Sequence, residues 1–84
     1  MTLNRATEII SKSHPEFKPV SVVDYKGYFV FDIAPKNYDP ETNGEWTGEL
    51  IAVDKMFEVT MHFIPMLHDP DAYARAVETN ITYF

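Results

Sequence analysis

The chain has 84 residues, 45% of them apolar and 14% aromatic, with 13 acidic side chains against 7 basic ones and a net charge of −6. That is enough apolar material for one small core and too much for a disordered chain, so residues 1–84 are expected to form a single domain. With no cysteine there can be no disulfide framework and no thiolate metal site.

The charge is unevenly placed. Residues 1–36 carry five basic and four acidic side chains, net +1, whereas residues 37–84 set Lys55 and Arg75 against nine acids, net −7. Such a field repels phosphate, which argues against direct DNA or RNA binding and favours a basic protein surface or a cation. Residues 1–15 hold no uninterrupted apolar run of the kind a signal peptide needs, and no run approaches the roughly 20 apolar residues of a membrane span. The expectation is a cytoplasmic protein without membrane contact.

In chain order, Leu3, Ala6, Ile9 and Ile10 recur at helical spacing with Arg5, Glu8 and Lys12 opposite, which predicts a helix over 3–13 capped by Thr2. His14-Pro15 ends it, because the residue before proline is pushed out of the helical region. Val20–Val23 and Tyr28–Ala34 are β-branched and aromatic runs joined by Asp24-Tyr25-Lys26-Gly27, which predicts a short hairpin with a bulge at its turn. Asp24 suits the first position of a type I turn, and Gly27 is the residue expected to take a left-handed conformation. In the second arm Phe29, Phe31 and Ile33 share one face, the predicted core, and Tyr28, Val30 and Asp32 the other.

Residues 35–48 are rich in proline, glycine and asparagine and predict a long irregular connection, a common location for function. Glu49–Asp54 and Phe57–Ile64 predict two more strands, with Phe57, Val59, Met61 and Phe63 on one face. Asp69-Pro70-Asp71 marks the start of a last helix over 70–80, with Tyr73, Ala76, Val77 and Ile81 as its buried stripe and a frayed end at Ile81–Phe84. The predicted fold is α+β, in the order α-β-β-β-β-α: a four-stranded antiparallel sheet with both helices on one face.

No phosphate loop, His-Glu-x-x-His pattern or nucleophile–base arrangement occurs, so no catalytic residue and no cofactor are assigned and the chain reads as a non-enzyme. His14, His62 and His68 lack metal-ligand spacing. Asp39, Glu41, Asn43, Gly44 and Glu45 follow the start of a calcium loop, but Leu50 stands where that loop needs a bidentate glutamate, so no metal site is assigned. Tyr38 and Trp46 sit among Asp39, Glu41, Glu45 and Glu49, a mixture of aromatic anchors and steering charge that suits a protein–protein contact. The expected function is a non-catalytic, inhibitory type of protein binding, in which the 38–49 loop engages a basic partner. The alternatives are a small-ligand or calcium-binding domain, or a subunit of a larger enzyme assembly. An exposed sheet face or the edge strand over 57–64 would also suit a homodimer.

Ala6 to His14-Pro15, then Tyr28-Phe29-Val30-Phe31, then Ile51-Ala52-Val53-Asp54 with Glu58-Val59 form a layout that resembles PepSY-type domains over residues 6–59. Lys55-Met56-Phe57 stands where that family has Thr-Gly after the aspartate. The resemblance implies a non-catalytic, inhibitory role. The cysteine-free, acidic, single-domain format also resembles small phage or prophage accessory proteins and toxin-immunity proteins.

Overall fold

A computed structural model of the chain describes residues 1–39, 41 and 49–84. Helix α1 (Leu3–Ser13) leads into strands β1 (Phe17–Tyr25), β2 (Tyr28–Pro35), β3 (Glu49–Asp54) and β4 (Thr60–His62). A 3-10 turn (Pro65–Leu67), helix α2 (Pro70–Thr79) and strand β5 (Ile81–Tyr83) follow. The five strands form one antiparallel sheet in the order β4-β3-β2-β1-β5, so the α+β class and the antiparallel sheet are as expected, but the described residues form five strands rather than four. The extra strand is the segment expected to fray: Ser21, Val22 and Val23 pair with Tyr83, Thr82 and Ile81.

The helices do not share a face. Leu3, Ala6, Ile9 and Ile10 of α1 pack on Val22, Phe29, Phe31, Ile33, Ile51 and Val53. Ala72, Tyr73, Ala76 and Val77 of α2 pack on the alternate positions Val23, Tyr25, Val30 and Ala52, with Phe63. The cause lies in the strands. Val30, Val23 and Ala52 are as apolar as the residues between them, so neither face of the central strands can be left wet, and each takes a helix. Phe31, Ile33, Ile51, Val30 and Val53 are fully buried as a result.

Three further expectations are corrected. The β1–β2 connection is tight, with Tyr25 paired to Tyr28, and its left-handed residue is Lys26 at φ 50° rather than Gly27. The irregularity expected near that turn sits instead between Pro19 and Ser21, where the register shifts and proline's missing N–H is tolerated. Strand 57–64 shrinks to Thr60–His62, because the Asp54 carboxylate accepts from the Met56 and Phe57 amides, both at 2.8 Å, and holds them in a turn. Glu58 completes that turn at φ 55° and Asp54 N–H donates to the Val59 carbonyl, so Phe57 and Val59 are exposed rather than in the core. Met61 then falls opposite Ala52 under α2, while His62, opposite Ile51, falls on the α1 face.

Candidate functional site

The two ends of the sheet differ in chemistry. At one end β2 gives way to the long connection. Its first residues are anchored by the chain itself: the Lys36 amide donates to the Glu16 carbonyl (3.0 Å), the Tyr38 amide to the Pro35 carbonyl (3.0 Å) and the Lys18 ammonium to the Tyr38 carbonyl (3.2 Å). The Asp39 carboxylate accepts from the Glu41 amide at 3.0 Å. Tyr38 is half-buried, whereas Asp39, Glu41 and Glu49 are exposed, the last where β3 begins opposite Ile33. Of the six residues expected to bind a partner, these four are placed; Glu45 and Trp46 lie outside the described residues, as do Asn43 and Gly44 of the calcium-like pattern.

Just inside this end, on the α2 face, Asp32 stands between Ser21 of β1 and Leu50 of β3. One of its carboxylate oxygens is buried with no hydrogen-bond partner. Loss of solvent raises the Asp32 pKa above the ordinary carboxylate value. The Tyr73 hydroxyl is raised as well, first by burial and then by the charge of Asp32, which places the phenol of α2 within the field of that carboxylate.

The opposite end is aromatic and apolar. Tyr25, a residue of the predicted turn, is buried, with its ring edge-on to Phe63 (5.7 Å), Tyr73 (5.5 Å) and His68 (6.4 Å). His68 stacks on Phe63 at 4.6 Å and stands edge-on to Tyr28 at 5.9 Å. Outside this cluster the apolar side chains are unusually bare: Met56 is 80% exposed, Phe57 72%, Met66 84% and Leu67 77%. Tyr28, Met56 and Phe57 line an open cleft of about 540 Å³ with Gly27, Asp54 and Lys55. These residues escaped the sequence reading because Phe57 fits a strand alternation. The available signal was the crowding of methionine and leucine between Pro65 and Asp69-Pro70, where no helix or strand period can bury them.

The histidines do not converge. His14 and His62 line a small cavity of about 180 Å³ beside Ile51, Thr60 and Met61, while His68 belongs to the aromatic end. Among the described residues no group of three His, Cys, Asp or Glu could hold a metal ion, and no helix is long and apolar enough to cross a membrane. Comparison with known proteins adds no identity: no family model, no curated protein and no solved structure matches the chain.

Proposed function

We propose that this chain is a non-catalytic protein-binding domain whose acidic second half engages a basic partner. The observation that carries the reading is the concentration of charge, net −7 over residues 37–84, together with the exposure of Asp39, Glu41 and Glu49 on a connection rooted in the interior strands β2 and β3. Loops held by a rigid sheet are where binding residues concentrate, since the scaffold fixes the ends while the loop surface varies freely. Carboxylates there accelerate encounter with a cationic surface, and Tyr38 and Trp46 supply contact area. Neutralisation of a basic protein, the inhibitory role that the PepSY and immunity-type resemblances imply, is the version this charge favours.

The test is affinity capture with the intact chain, followed by kinetics on the recovered partner. Association with the wild-type chain is expected to slow as salt rises, and a Trp46→Ala/Glu45→Lys variant is expected to lose the partner. Equal binding by both proteins removes the loop from the mechanism; salt-independent association removes the electrostatic basis.

A further inference from the structure

We propose that the corner where the end of β1 meets the α2–β5 junction binds a small apolar monocarboxylate, its head group held by Lys26 and Arg75. Two cavities adjoin there. The smaller, of about 240 Å³, lies between α2 and the end of β1, with Tyr25, Lys26 and Arg75 in its lining. The larger, of about 590 Å³, opens on the α1 face over Val22 and Phe29, beside Leu3. Asp24, Lys26, Thr79 and Asn80 line both. Neither includes a residue of the 38–49 connection, so the inference is independent of the protein-binding reading above.

Hydrogen bonds fix the corner. The Asp24 amide donates to the Asn80 carbonyl at 3.2 Å, and the Asn80 side-chain amide donates back to the Asp24 carbonyl at 3.3 Å. The Asn80 backbone amide closes α2 by donating to the Ala76 carbonyl at 2.7 Å. The larger cavity has the size of a small-molecule site, and such sites combine apolar walls with a few placed polar groups.

Ion pairing points to the head group. Arg5, Lys12 and Lys55 pair with carboxylates, and Lys18 donates to the Tyr38 carbonyl. Lys26 and Arg75 line one cavity with no anionic partner among the described residues, in a chain of 13 acids and 7 bases. The Lys26 ammonium lies over the Tyr25 ring, 5.3 Å from its centroid. Asp71 and Glu78, about a turn to either side of Arg75 on α2, form no ion pair with it. Two cations on one cavity repel each other. A ligand carboxylate between them relieves that repulsion and gives the Arg75 guanidinium the bidentate partner it suits.

Asp24, the one acid in either lining, is already paired with Lys55. Helix α2 ends at this corner, however, and its last carbonyls carry partial negative charge, with Asp71 and Glu78 on the same helix. A single negative charge therefore fits better than a phosphate dianion. Behind the head group, Leu3, Val22 and Phe29 offer an apolar body its contact area.

The probe is hydrocinnamate, titrated into the whole chain and followed by the backbone amide resonances. Saturable shifts are expected at Val22, Lys26, Asn80 and Thr82, complete at about millimolar concentration or below. Lys26→Asn/Arg75→Gln should weaken binding about tenfold or more, as for loss of charge-assisted hydrogen bonds. Asparagine tolerates the left-handed backbone of Lys26 and both residues are exposed, so the variant should melt close to wild type. Hydrocinnamyl alcohol, which lacks the charge, propanoate, which lacks the ring, and phenyl phosphate should each bind more weakly. No saturable binding, or equal binding by the double variant or the alcohol, overturns the site. Equal binding of propanoate overturns the apolar cavity, and equal or tighter binding of phenyl phosphate overturns the single-charge assignment. Shifts confined to Tyr28, Met56 and Phe57 would put the probe on the exposed apolar end and overturn the site as well. The Trp46→Ala/Glu45→Lys variant should bind the probe as wild type does. A protein partner indifferent to that variant would then refute the loop mechanism and leave this site standing.

Discussion

Asp32 is the one described side chain whose burial works against its charge. Its neighbours across the strands are Ser21 and Leu50, and its buried oxygen accepts no hydrogen bond. Desolvation raises its folded-state pKa, so protonation favours the folded form. The sign follows directly: the stability this group contributes is fully present below the ordinary carboxylate pKa and is lost as pH rises through the raised one. An Asp32→Asn variant should therefore be more stable than wild type at neutral pH, and the difference should vanish in acid. Urea melts of both proteins at the two pH values check this; a difference that grows on acidification would reverse the assignment. Nothing in the sequence distinguished Asp32 from an ordinary outward strand acid, because an alternating pattern says which residues share a face but not what covers it. Phe31 and Ile33 were legible as core for the complementary reason: large apolar residues at every second position leave no other place for the sheet to pack.

At the scale of elements, the helix ends were the most legible features. Thr2 accepts from the Arg5 amide at 3.2 Å and Asp69 from the Ala72 amide at 3.1 Å, with Pro70 next, because a short polar side chain before a helical run has an orphan amide within reach. Asp69→Ala should cost about 1 kcal/mol, measured by chemical denaturation. Which face each helix covers was less legible, since both stripes are apolar and the sheet offers two apolar faces. Their separation by the sheet makes a sharp prediction. Ile10→Val, costing about 0.5–1.5 kcal/mol, and Val77→Ala should add in the double variant to within about 0.5 kcal/mol. Helices in mutual contact on one face would instead give a coupling energy well above that.

For the molecule as a whole, the sheet shields its centre and leaves its margins thin. β2 is flanked on both sides and carries Val30, Phe31, Ile33 and Ala34, all nearly or fully buried. Phe31→Ala should cost about 3–5 kcal/mol, a loss close to the entire stability of a domain of this size. The variant's melting curve checks it: a midpoint within a couple of degrees of wild type would mean that Phe31 is not the keystone. The edge strands β4 and β5 have three residues each, and brevity itself discourages sheet-to-sheet pairing. The long edge read from residues 57–64 would have invited it, and its shortening to Thr60–His62 weakens the case for strand pairing.

The pairing of β5 with β1 also sets a timetable. Val23 finds its partner in Ile81, about two-thirds of the chain away, whereas β1, β2 and β3 join through neighbours. Closing so long a loop is entropically slow and is rewarded only once α2 has settled on its face of the sheet. The three-stranded meander is therefore expected to assemble first, with β5 seated last and released first. Native-state amide exchange should show Phe31 and Ala52 protected to the limit of global unfolding, while Thr82, opposite Val22 in the hydrogen-bonded pairs of that ladder, exchanges through a shallow local opening.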